Sequence, residues 1–149
     1  MIKNERQYAI TKAQAERFAQ ALERLTSGAT AGEPVSSRLR QAEEDALRSQ
    51  LADLQAELAD YEALRSGQRT VLSLNSWDEL PRALIQARIA RGLSQKELAE
   101  QLGLKEQQIQ RYEATDYGSA SLARLRRIMG TLGLQIQGGK LTVAKPAEP

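Results

Sequence analysis

The chain has 149 residues, 27% of them charged, and 21 lysines and arginines stand against 19 aspartates and glutamates for a formal charge of +2. It holds no cysteine and no histidine, which removes disulfides, thiolate and imidazole metal sites, cysteine nucleophiles and histidine-based acid–base catalysis together. With aromatics at 4% and apolar residues at 41%, the length suits one ordinary domain or a small domain with an extended arm, and a large core is not expected.

The beginning of the chain, Met1 to Arg6, lacks the apolar core of a secretory signal, and no apolar run approaches the roughly 20 residues of a membrane span. A cytoplasmic protein without membrane contact is expected. Residues 1–70 read as a helical arm with one break. Strong helix formers fill Thr11 to Leu25, with Phe18, Ala21, Leu22 and Leu25 on one face. Small residues, two glycines and Pro34 interrupt the pattern between Thr26 and Pro34. It resumes from Ser37 to Arg65, where Leu47, Leu51, Leu54, Leu58 and Tyr61 follow the alternating four-and-three spacing of a coiled-coil seam. Two readings stand for that seam: it pairs with a second copy of the chain, or it packs back on the first helix. Both together give a four-helix dimer arm.

Residues 71–134 read as a compact helical bundle. Val71 to Leu74 alternates as a short strand or an extended linker. Ser76 and Glu79 have capping-box spacing, and Pro81 falls in a first turn where no helical N–H partner is lost. That helix is expected to run to about Arg91, to bury Leu80, Leu84, Ala87 and Ile89, and to end at Gly92. A second capping box, Ser94 with Glu97, opens the next helix, whose Leu98 and Leu102 form a stripe with Ala99 small enough for close crossing. Gly103 ends it, because a left-handed cap costs a residue without Cβ almost nothing. Leu104, Ile109 and Tyr112 restart the stripe, leaving Glu106, Gln107, Gln110 and Arg111 outside it. A loop from Thr115 to Gly118 leads to a last helix, from Ser119 or Ala120 to Leu132, with Leu122, Leu125, Ile128, Met129 and Leu132 inward. Arg124, Arg126 and Arg127 on its other face read as a solvated surface, with phosphate contact as the alternative. Residues 135–149 form a tail, and Leu134 to Gln137, Gly138-Gly139 and Lys140 to Val143, starting at the last bundle residue, read as an optional short β-hairpin. The fold class is therefore all-α: about four bundle helices behind a coiled-coil-like arm.

The run from Leu93 to Glu113, opened by Leu-Ser-Gln and closed by Arg-Tyr-Glu with alanine, glycine and isoleucine in register, resembles the phage-repressor-like (XRE) helix-turn-helix family. The resemblance extends from about Trp77 to Leu134. It implies a transcriptional regulator whose second motif helix enters the DNA major groove. Position by position, it places Glu106, Gln107 and Arg111 as base readers, with Gln110 beside them. Arginine suits guanine, glutamine suits adenine, and a carboxylate suits the amino group of cytosine. Gln95, Lys96, Lys105 and Gln108 are implied to face the DNA backbone. Lys105 departs from the serine or threonine cap common at that position, exchanging cap strength for charge.

Because one helix reads only a few base pairs, a homodimer on a palindromic operator is expected, with Leu47, Leu51, Leu54, Leu58 and Tyr61 as the dimerisation seam. The small size and lone motif also resemble HigA-like antitoxins, which implies an autorepressor holding a cognate toxin. The alternatives are a stand-alone repressor, or a coiled-coil interaction protein with a relic helix-turn-helix. No enzyme activity, cofactor or metal is expected. Residues 76–137 carry nine basic against seven acidic side chains, too mild an excess to imply nucleic acid unaided. The DNA reading therefore rests on the motif.

Overall fold

In the computed structural model, residues 1–28 and 36–138 are described, and all regular structure among them is helical. The order is α1 (Glu5–Thr26), α2 (Ser37–Arg65), a 3-10 turn (Trp77–Glu79), α3 (Leu80–Ala90), α4 (Gln95–Leu102), α5 (Glu106–Ala114) and α6 (Leu122–Leu132). None of these helices is long and apolar enough to cross a membrane.

The arm is an antiparallel hairpin. Near its root the Tyr8 and Tyr61 rings stack with centroids 5.2 Å apart, Tyr8 donates to Glu62 at 2.6 Å, and Tyr61 donates to Glu5 at 3.0 Å. These contacts join the start of α1 to the end of α2. Burial falls off along the hairpin: Tyr61 and Leu64 are buried, whereas Leu47, Leu51, Leu54 and Leu58 are half-buried, as are Phe18, Ala21, Leu22 and Leu25 facing them. A fully buried leucine contributes about 1.5–3 kcal/mol, so the root, rather than the length of the seam, anchors the arm. The seam packs on α1 of its own chain. Tyr61, expected in an interface between chains, is instead an internal residue, because its register points it at the junction of α1 with the bundle.

The bundle core consists of Leu80, Leu84, Ile85, Ala87 and Ile89 of α3, Leu98, Ala99 and Leu102 of α4, Ile109 of α5, Ile128 and Leu132 of α6, and Tyr117. Ile2, Tyr61 and Leu64 belong to the same buried cluster. The core thus crosses the boundary expected between residues 70 and 71, and the root of the arm folds as part of the bundle.

Local signals explain most of the helix ends. The Ser94 hydroxyl accepts from Glu97 N–H at 3.1 Å while the Glu97 carboxylate accepts from Ser94 N–H at 2.7 Å. At the other end of α4, Gly103 adopts φ +67°, letting Leu104 N–H reach Ala99 O at 2.8 Å and Gly103 N–H reach Glu100 O at 3.1 Å. This double closure turns the chain sharply enough to start α5 three residues later. α3 closes at Gly92 in the same way, with Gly92 N–H donating to Ile89 O at 2.9 Å and Leu93 N–H to Arg88 O at 3.1 Å.

Several local expectations are refined or corrected. The Ser76 side chain makes no capping bond, since Glu79 accepts instead from Asn75 N–H at 2.7 Å. Of the two readings of Val71 to Leu74, the extended linker holds rather than the strand; Leu72 packs on the core while Val71 is exposed. The last helix starts at Leu122, capped by Ser121, and this first-turn leucine is 62% exposed because the inward stripe begins a turn later, at Leu125. Leu134 to Gln137 has no strand pairing among the described residues, and the Gly138-Gly139 turn and second strand of the expected hairpin fall largely outside them.

Candidate nucleic-acid interface

α4 and α5 cross through Leu98, Ala99, Leu102 and Ile109, all at most 1% exposed. With Ile109 turned inward, the helical period puts Glu106, Gln107, Gln110 and Arg111 on the outer side of α5, and all four are exposed. Gln110 Nε2 donates to Glu106 Oε1 at 3.1 Å, so these two side chains form one edge of that surface. Gln107 and Arg111 make no side-chain hydrogen bond or ion pair among the described residues, so their donors and acceptors face solvent. The structure therefore brings the four expected readers together on one face.

The expected backbone contacts divide into two kinds. Lys96, Lys105 and Gln108 are exposed. Gln108 also stabilises the start of α5: its Oε1 accepts from Lys105 N–H at 3.0 Å, while the Lys105 side chain makes no cap bond. Gln95 is half-buried and donates through Nε2 to Glu113 Oε2 at 2.7 Å. That bond fixes the start of α4 against α5. The second N–H of the same amide remains for a ligand.

The group that holds this surface in place has no counterpart among the expected site residues. Arg88 of α3 and Glu113 of α5 form an ion pair at 2.5 Å, with side chains 3% and 1% exposed. Arg88 Nη1 also donates to Leu93 O at 2.8 Å, and Nη2 donates to Lys3 O at 2.5 Å and to Glu113 Oε2 at 2.9 Å. Lys3 Nζ donates to Glu113 O at 2.8 Å. One guanidinium thus ties α3, the α3–α4 turn, the segment before α1 and α5 into a single frame. A buried charge pair tolerates little displacement, because its desolvation is offset only in good geometry. The sequence carried a signal for it: Arg88 lies four residues after Leu84 and Glu113 four after Ile109, so each charge stands on the buried stripe of its helix.

Two titration shifts bear on the frame. Hydrogen bonds from the Ser94 backbone and hydroxyl hold the Glu97 carboxyl below its ordinary value, so the α4 cap is charged at neutral pH. Burial, then the charge of Glu113, pushes the Tyr117 hydroxyl well above its usual range, and that hydroxyl has no hydrogen-bond partner among the described residues.

Residues 84–138, somewhat over a third of the chain, match a family model described as helix-turn-helix. No curated protein and no solved structure matches the chain. The matched segment contains α4, the Gly103 turn and α5, with the polar face of α5 outermost. Over that segment, where the motif resembles the XRE type, the chain is similar to a helix-turn-helix.

Proposed function

We propose that the protein is a sequence-specific transcriptional regulator of double-stranded DNA that reads bases through Glu106, Gln107, Gln110 and Arg111 and reaches the phosphates through Gln95, Lys96, Lys105 and Gln108. The observation that carries this reading is the exposed polar face of α5, fixed from behind by the Arg88–Glu113 pair. Each good side-chain-to-base pair is worth about 1–3 kcal/mol of discrimination. A homodimer extends the address to two half-sites. The half-buried Leu47, Leu51, Leu54 and Leu58 favour the arm as the pairing element, since a second hairpin laid along them completes their burial.

Within that reading, the resemblance to HigA-like antitoxins favours an autorepressor that also holds a toxin, with the stand-alone repressor as the alternative. Co-expression with the product of the adjacent gene separates them. Rescue of growth from a toxic neighbour supports the antitoxin, and indifference supports the repressor.

The DNA reading is tested by mobility shift on the fragment upstream of the gene. The double variant Gln107→Ala/Arg111→Ala is expected to lose the sequence-specific shift while keeping its helical content. An undiminished specific shift overturns the groove assignment, and leaves the arm as the working part of an interaction protein.

A further inference from the structure

The first turn of α1 lies beside the reading helix. Asn4 and Arg6 line, with Ser94, Gln95, Glu106 and Gln110, a cleft of about 580 Å³ between the arm and the helix-turn-helix. A second cleft brings Asn4 and Gln7 up to Gln95, Gln110 and Ala114. This turn is firmly held: Ile2 is 3% exposed in the core, Lys3 bonds to both Arg88 and Glu113, Gln7 accepts from Lys3 N–H at 2.8 Å, and Asn4 caps α1 through Gln7 N–H at 2.9 Å.

Groove dimensions give that position a consequence. The major groove is about 12 Å wide and a helix with side chains about 10–12 Å across, so a helix seated there has a phosphate backbone against each flank. The flank of α5 bearing Glu106 and Gln110 is the one faced by Gln95 and the first turn of α1. Three arginines line the larger cleft. Arg65 pairs with Glu5 at 3.0 Å and Arg88 with Glu113. Arg6 is exposed and has no carboxylate partner among the described residues. Glu106, on the same edge, repels a phosphate unless a cation offsets it.

We propose that the first turn of α1 is a third DNA-facing element, in which Arg6 binds a phosphate of the strand running along the Gln95 side of α5. This rests on the reading of α5 as the groove helix. It adds to the expected contacts a residue far outside the matched segment, and makes the arm part of the DNA surface.

The test is the salt dependence of binding by the full chain, measured by fluorescence anisotropy on the upstream fragment and on a mixed-sequence duplex. Losing one phosphate contact lowers the slope of log K against log salt by about 0.9 for each protomer bound. Arg6→Ala is expected to lose that amount on both duplexes, Arg6→Lys to retain it, and Arg17→Ala, exposed about three turns further along α1, to leave it unchanged. An unaltered slope in Arg6→Ala overturns the proposal while the groove reading stands, and so does tighter binding, which marks α1 as an obstruction. A native chain that binds neither duplex overturns both.

Discussion

Arg88 and Glu113 meet through two parallel bonds, Nε to Oε1 at 2.5 Å and Nη2 to Oε2 at 2.9 Å, in a site closed to solvent. Removing either partner alone leaves a buried charge, so Arg88→Ala or Glu113→Ala is expected to cost about 3–5 kcal/mol. The apolar double variant Arg88→Met/Glu113→Leu should recover only part of this, because Leu93 O, Lys3 O and the Gln95 amide lose their partners with it. Urea unfolding followed by circular dichroism checks both. Single variants costing under about 1 kcal/mol would contradict the role given to the pair.

Lys105 begins α5 in an extended conformation, φ −83° and ψ 146°, without a capping side chain. Gln108 already supplies one half of a capping box, so Lys105→Ser should add the other and stabilise the fold by about 0.5–1 kcal/mol. The same change removes a cation beside the proposed reading face. Duplex binding should weaken, with the salt slope lower by about 0.9 for each protomer bound. A more stable variant that binds equally well would show that Lys105 faces no phosphate.

Tyr117 sits in the α5–α6 loop at φ +55°, with its ring stacked 5.7 Å from that of Tyr112 and its hydroxyl buried without a partner. An unsatisfied buried polar group costs about 1–3 kcal/mol. Tyr117→Phe keeps the ring and discards the hydroxyl, so it is expected to raise the thermal midpoint. A lowered midpoint would reveal a hydrogen bond there, such as one to a buried water.

Tyr61 has its hydroxyl pushed up to about 12, chiefly by burial and then by its hydrogen bond to the Glu5 carboxylate. The folded state favours the protonated phenol, so this stabilisation is complete below the ordinary tyrosine value of about 10 and is lost as pH rises from there through about 12. The root of the arm should loosen over that window. Tyr8 and Tyr117 are raised as well, so the measurement is the difference between the native chain and Tyr61→Phe. The variant should lose the Tyr61 part of the alkaline destabilisation seen by circular dichroism.

Elements whose signals are local were legible in the sequence. Ser94 with Glu97, Gly92 and Gly103 fix their helix ends through bonds within a few residues, and the stripe of Leu104, Ile109 and Tyr112 shows which side of α5 faces out. Features that depend on tertiary neighbours were not. The spacing of Leu47 through Tyr61 specifies an apolar seam without specifying what covers it, so Tyr61 read as available to another chain. Ile2 and Lys3 precede the first helix and carry no periodicity. Their place in the core is visible only once α1 is seen beside α5.

The burial of Ile2 among bundle residues makes the arm something other than an interchangeable module. Recombination that swapped residues 1–70 for another oligomerising segment would uncover part of the hydrophobic interior and cut the Lys3 ties to Arg88 and Glu113 in the same event. The two parts are therefore coupled: a change at the base of the hairpin must be accommodated by the residues that position α5.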